Sequence, residues 1–465
     1  MSRYRCKVCG EIYDEEAEGV PFAELPDNWS CPLCGAAKKH FEIIEESNES
    51  NRVHTQSARS VQVFDVSEEI SGNTVMDEIH RLAATGKSTD EPMDTQMPVP
   101  KFDDILVMGA QLARSPLERD EEVNINVVIG KNAAKPMILD IPVYISHMSF
   151  GALSSKAKKA LALGSAIAHT ATSSGEGGVL PEEKSSAYRY IFEYVPNRYS
   201  MGTDILRTAD AIEIKIGQGT KPGMGGHLPG EKVTVPISYI RGKPAGQEVW
   251  SPAKFSELKT PEDLKVMVDE LREESGGRPI GVKIAAGHIE EDLEFISHSG
   301  CDFITIDGRG GATGSTGKFI KDASSVPTVY ALARARRYMD EHGMTQELVI
   351  TGGLRTSMDF VKAIAMGADA VAIASAALMA LGCQRYRICH KSACPMGIAT
   401  QNPELEKKLD VEAGAQKVAN YLNATADELR AFARATGHSN IRDLSLEDLC
   451  TTSSEISDST GIRHA

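Results

Sequence analysis

Seven of the nine cysteines fall into two tight groups. Cys6-x-x-Cys9 and Cys31-x-x-Cys34 form paired knuckles near the start of the chain. Cys383, Cys389 and Cys394 lie together in CQRYRICHKSACPMGIATQ. Such clustering is the pattern of metal ligation rather than of a disulfide framework, and it favours a reducing compartment, the cytoplasm. Each knuckle presents two thiolates to one tetrahedral ion, and the glycine that follows allows the tight turn beneath the sulfurs. Iron and zinc both accept that geometry. Cys301 reads as a buried core thiol, and Cys450 has no evident partner.

Two lysines close apolar runs, Lys215 in AIEIKIG (211–217) and Lys283 in IGVKIAAG (280–287). Burying an ammonium is costly unless it faces an anion or an electron-rich ring, so two at neighbouring strand ends predict an anionic pocket. The alternative is that one of them pairs with Asp307 or Glu213. TGGLRT (351–356) and AIASAAL (372–378) carry small residues that let backbone N–H groups approach a phosphate, although GG can also serve only a tight turn. IDGRGGATGSTG (306–317) is glycine-rich, but its spacing is wrong for a dinucleotide fingerprint.

These residues need a scaffold. From Pro142, β-branched runs alternate with helical patterns, at 142–148, 168–174, 190–195, 211–217, 280–287, 303–310, 348–354 and 370–375. Eight such units predict an α/β fold of the (β/α)8 TIM-barrel type, with chemistry at the C-terminal strand ends. A doubly wound sheet would not need eight units in one run. The expected domains are a small metal unit (1–45), a polar linker and extension (46–100) with a helix near Val75 to Ala84, the barrel (101–405), and a helical C-terminal tail (406–465). The net charge of −15 excludes a phosphate-backbone binder, so no nucleic acid is expected. Polar residues from Ser2 onward predict no signal peptide, and the most apolar run, GADAVAIASAALMALG, is too short for a membrane helix.

Two resemblances sharpen this reading. LPDNWSCPLCGAAKKHFE, with Tyr13, Trp29 and Phe41 as an aromatic core, resembles the second half of rubredoxins, although the segment between the knuckles is shorter. It implies iron, or zinc, on Cys6, Cys9, Cys31 and Cys34. SHMSFGALSSKAKKALALG, SSGEGG, IEIKIGQGTKPGMGGHLPGEKV and GLRTSMDFVKAIAMGADAVAIAS resemble the FMN-binding synthase domain of glutamate synthases over about residues 100–405. The cysteine run is similar to that family's C-x5-C-H-x3-C-P segment.

That resemblance implies FMN at the barrel mouth with 2-oxoglutarate above it. Ammonia would condense with the keto acid, and reduced flavin would deliver a hydride to 2-iminoglutarate. Met148, Ser149, Gly151, Ser173, Arg198, Lys215, Gln218 and Lys283 would line the flavin. Gly352, Gly353, Ala374 and Ser375 would bracket its phosphate. Lys221, His227 and Arg241 would hold the keto-acid carboxylates, with Lys215, Lys221 and Glu176 at the reacting centre. Cys383, Cys389 and Cys394 would carry a [3Fe–4S] cluster, with His390 as a hydrogen-bonding neighbour.

The sequence departs from the family at three points. Met224 replaces the glutamate of KPGEGG, Arg198 stands in NRYS rather than GRFG, and no glutaminase or glycine-repeat domain is visible. The expected reading is therefore a synthase subunit that joins partner subunits in an oligomer and takes electrons through its iron centres. The alternatives are an N-methylglutamate synthase subunit using methylamine and a non-catalytic electron-transfer or scaffold subunit.

Overall fold

The computed structural model describes residues 2–8, 11–33, 35–43, 74–88, 95, 97–201, 204–314 and 316–465. They fall into two compact units, one running to Asp90 with Gly317–Phe319, the other comprising Glu91–Thr316 and Ile320–Ala465. Most of the expected linker lies outside the described residues. The expected helix near Val75 is present, as Thr74–Thr85.

In the first unit, Arg3–Cys6 pairs antiparallel with both Ile12–Asp14 and Phe41–Ile43. Too small to bury much aliphatic surface, it relies on aromatic rings. Phe22 stacks on Tyr4 and meets Tyr13, Trp29 and Phe41 at centroid distances of 5.3–5.6 Å.

The second unit contains eight parallel strands: β1 Val143–Ile145, β2 Ala171–Ser173, β3 Arg189–Tyr194, β4 Ala211–Lys215, β5 Ile280–Ala285, β6 Phe303–Asp307, β7 Glu347–Thr351 and β8 Ala370–Ile373. Their hydrogen-bonded order is β1-β8-β7-β6-β5-β4-β3-β2, the expected barrel order. Hydroxyl groups join the two end strands: Thr170 Oγ1 donates to the Val143 carbonyl at 2.7 Å and Ser173 Oγ to that of Ile145 at 2.9 Å. Strand β2 is shorter than the run 168–174, because His169 adopts a left-handed turn (φ 51°) before it.

Strand periodicity stacks the interior in layers. Tyr144, Ala171, Ile191, Ala211, Phe303, Val349 and Ala370 form an apolar floor with the hairpin Val127–Ile129/Met137–Leu139, which pairs antiparallel and plugs the N-terminal end of the barrel. Two residues further along their strands stand Glu193, Glu213 and Thr305, all buried. The floor is therefore greasy and the layer above it charged.

Helices begin where the sequence caps them. In α1 (Ser155–Ile167), the Ser154 hydroxyl accepts from the Ala157 N–H. In α2 (Pro261–Glu274), Thr260 and Asp263 form a capping box. Helices α3 (Ile289–Ser297), α4 (Thr328–Glu341) and α5 (Ser357–Ala365) follow β5, β6 and β7, and α6 (Ser375–Leu381) follows β8. The long α7 (Val411–Ala435) packs on α1, and Leu449–Thr451 pairs with Ile105–Val107. The C-terminal segment is thus built into the barrel unit. Among the described residues no helix is long and apolar enough to cross a membrane.

Candidate active site

Strand β4 ends in Lys215 because its alternating pattern turns every second residue inward. The Lys215 ammonium donates to Glu176 Oε2 at 2.5 Å, and both side chains are largely buried. The loop after β4 returns a second ammonium: Lys221, 2 % exposed, donates to the Gly225 carbonyl at 3.1 Å. Burial opposes ionisation of Glu176, but Lys215 and Lys221 beside it override that and hold it at about 2. Burial and the Lys215 charge lower Lys221 to about 8. Burial also opposes the charge on Lys215, yet Glu176 keeps its pKa raised. A cavity of about 220 Å³ opens beside them, with Glu176, Lys215 and Gln218 at its polar end and Met224, Phe255 and Phe295 along its apolar wall.

Close backbone approach fixes these loops. A Cβ on Gly219 (φ 45°) would stand 1.6 Å from the Gly311 carbonyl oxygen, so the loops after β4 and β6 touch main chain to main chain. Gly175 (φ 72°) lies flat on the backbone of Met148 and Ser149, where a Cβ would come within 2.5 Å. This seats the GEGG turn against the loop after β1. Arg241 reaches the same loop, donating to the Phe150 carbonyl at 2.8 Å with its guanidinium over the Tyr199 ring.

The other expected residues divide into two sets. Met148, Ser149, Gln218, Ala374 and Ser375 sit half-buried at the C-terminal ends of their strands, Gly151 packs under Arg241 and Leu228, and Gly353 stands exposed after the buried Gly352. Gly352 and Gly353 both have left-handed φ and interlock with the loop after β6. The remaining four are placed differently. The Ser173 hydroxyl is spent on the barrel seam. Lys283 lies beneath the mouth, 1 % exposed and 3.8 Å from both Glu193 and Asp307, close to the pairing considered as the alternative. Arg198, on a left-handed surface turn, pairs with Glu257. His227 turns its ring onto Trp250, centroids 3.8 Å apart.

Of the charged layer, sequence reasoning named Glu213 and Asp307 as alternative lysine partners but missed His147 and Glu193. His147 Nε2 lies 2.7 Å from Glu213 Oε2, with its N–H off the line to that oxygen, and Nδ1 accepts from the Gly175 N–H at 3.3 Å. The Thr305 hydroxyl donates to Glu213 Oε1 at 2.5 Å. Glu193 is buried with neither carboxylate oxygen hydrogen-bonded. Burial raises Asp307 to about 6, against the Lys283 charge. Lys158 of α1, 2 % exposed, ion-pairs with Glu183 at 2.7 Å and donates to the Ser174 carbonyl at 2.7 Å, tying α1 to the loop after β2. The period of two inside each strand was the available signal for Glu193 and Glu213; nothing local marked Lys158.

The cysteine segment is stitched to the loop after β1. Ser154 binds it through two bonds, its N–H to the Ile398 carbonyl and its hydroxyl to that of Gly397. The Gln401 amide donates to the carbonyls of Gly151 and Leu153. Cys383, Cys389 and Cys394 line one small cavity with Arg385, Arg387, Ile388 and Met396. The Arg385 N–H donates to Cys383 Sγ at 3.4 Å. Burial and the neighbouring Cys394 and Cys389 thiols raise the Cys383 pKa. In the N-terminal unit, Cys6 and Cys31 are buried in one cluster, and their N–H groups donate to Glu11 and Ala36, each five residues on. Cys9 and Cys34 lie outside the described residues.

The family profile described as "Conserved region in glutamate synthase" matches residues 74–439. The chain belongs to the glutamate synthase family. A rubredoxin profile matches residues 3–41, so the N-terminal unit is a rubredoxin domain. Among relatives, a glutamate synthase large subunit-like protein of Rhizobium meliloti is 38 % identical over 81 % of this chain and 90 % of its own length. An archaeal glutamate synthase [NADPH] of Methanocaldococcus jannaschii is 42 % identical over 66 % of this chain and 61 % of its own. The chain therefore spans most of the first relative but under two thirds of the second. Glutamate synthase membership makes it an oxidoreductase of the class acting on CH–NH2 donors. Its fold is similar to that of a mutant (S)-mandelate dehydrogenase chimera (TM-score 0.51, 18 % identity, 75 % of this chain and 88 % of that one).

Proposed function

We propose that this glutamate synthase-family chain is the synthase subunit that reductively aminates 2-oxoglutarate to glutamate through 2-iminoglutarate. The observation that carries the proposal is the Lys215–Glu176 ion pair on the lining of one cavity at the C-terminal strand ends, with the Lys221 charge acting on the same carboxylate. A dicarboxylate needs cations that are held rather than recruited, and both ammonium groups are fixed by the fold. Lys221 and Arg241 receive the carboxylates. The Glu176–Lys215 pair holds a proton next to the carbon that is aminated, where water must leave the carbinolamine.

Residues at the ends of β1, β7 and β8 fit FMN: the half-buried Met148 and Ser149 beside its ring, and the small Gly352, Gly353, Ala374 and Ser375 around its phosphate. Bound there, reduced FMN supplies the hydride. The all-sulfur donor set of Cys383, Cys389 and Cys394 fits a [3Fe–4S] cluster, and the attachment of that segment to the loop after β1 supports electron transfer to a flavin held there. Iron in the rubredoxin domain would supply electrons one at a time from an outside donor in the cytoplasm. Partner subunits, a glutaminase or a glycine-repeat chain, would bring ammonia.

Met224 favours a second reading, an N-methylglutamate synthase subunit. It lines the same cavity in place of a charged residue, leaving an apolar surface for a methyl group. The test is single turnover: reduced holoprotein with 2-oxoglutarate and either ammonia or methylamine, with flavin reoxidation followed by absorbance and product by mass. Glutamate from ammonia supports the first reading, N-methylglutamate from methylamine the second. Reoxidation with neither amine overturns both.

A further inference from the structure

Lys232 stands outside every role described above. It ends the short turn Gly230–Lys232 and is 7 % exposed. Its backbone is fixed on both sides: Lys232 N–H donates to Pro229, and Val233 N–H to Gly230, each at 2.9 Å. Val233 packs into a small core with Phe150, Leu228, Ile237 and Val249. The side chain crosses from this excursion, which also carries Lys221 and Arg241, to the cysteine segment. There its ammonium donates to the Cys389 carbonyl at 3.4 Å.

We infer that Lys232 raises the reduction potential of the iron–sulfur site at Cys383, Cys389 and Cys394. This rests on the cluster reading of those cysteines. One-electron reduction adds a negative charge to the site, and the electron comes from the external reductant. A fixed buried cation lowers the free energy of the more negative state.

The test is an EPR-monitored redox titration of the full-length, iron-loaded protein, poised with dithionite and mediators. Lys232→Met removes the charge and the donor; Lys232→Gln removes only the charge; Lys232→Arg retains both. At the wild-type midpoint, both neutral variants should show about a tenfold lower reduced-to-oxidised ratio, a fall of about 59 mV for one electron. Lys232→Arg should titrate with the wild type. If one neutral variant fails to assemble the cluster, the other decides. A Gln variant that titrates with the wild type overturns the inference. A wild-type chain that binds no cluster overturns the cysteine reading as well, whereas a cluster insensitive to Lys232 overturns this inference alone.

Discussion

Lys215 and Glu176 form an ion pair 2.5 Å long at the barrel mouth, with side chains 8 % and 12 % exposed. One comes from the end of β4 and the other from the turn after β2, so the pair exists only when the barrel is assembled. Removing one partner strands the other's charge out of water, which costs about 3–5 kcal/mol when the pair is buried. Glu176 is held ionised at about 2, so Lys215 carries the pair's proton, and Lys215→Met should lower kcat/KM for reductive amination about 10²–10⁴-fold, the range of a lost proton-transfer group. The same variant should add a loss of stability. Steady-state rates and urea unfolding check the two effects.

Lys221 predicts a pH limb. Its pKa is lowered to about 8 by burial and by Lys215. The protonated form attracts a dicarboxylate, so KM for the keto acid should rise as pH increases through about 8, with kcat changing less. Lys221→Arg stays charged and should flatten the limb. KM measured from pH 6.5 to 9.5 decides it.

Thiol chemistry should separate the cysteines. Burial raises Cys301 to about 12, so it should resist alkylation at pH 8 in the folded protein and react after denaturation. Replacing Cys383, Cys389 or Cys394 by Ser should each abolish the broad iron–sulfur absorbance, and Cys301→Ser should leave it intact. Mass mapping of labelled peptides and visible spectra provide the measurements.

Gly219 should tolerate no side chain. Its missing Cβ is what lets the Gly311 carbonyl approach. Gly219→Ala must push apart the loops after β4 and β6, at a cost of about 1–3 kcal/mol or more. The melting temperature should fall, and retained FMN should fall with it. Unchanged flavin content and stability would contradict this loop geometry.

The rubredoxin domain should depend on its metal. It is small, and much of its core is the aromatic group around Phe22. Chelating the metal from the full chain should erase the near-ultraviolet aromatic signal of Tyr13 and Trp29, while the barrel keeps its far-ultraviolet spectrum. An iron-loaded sample should show thiolate charge-transfer bands that a zinc-loaded one lacks.

Much of this protein is written locally. Strand runs show as β-branched periodicity, helix starts as Thr260-Pro-Glu-Asp263 and its like, and both cysteine groups as spacing. Those features depend on neighbours in the chain, so the eight-unit barrel and the motif residues at its mouth could be read before any coordinates. Other features depend on elements far apart in sequence. Whether Lys283 reached the mouth or lay beneath it was decided by strand register, which sets it opposite Thr305 and against Glu193. His227 and Arg198 stand in motif context, yet each was captured by a surface partner, Trp250 and Glu257, that no local pattern announces. The His147–Glu213 contact joins the loop after β1 to strand β4, and the Lys232–Cys389 contact spans 157 residues. The sequence by itself determined which chemical groups the chain carries and where strands end. Only the closed barrel decided which charges meet, because burial and pairing are properties of neighbours in space.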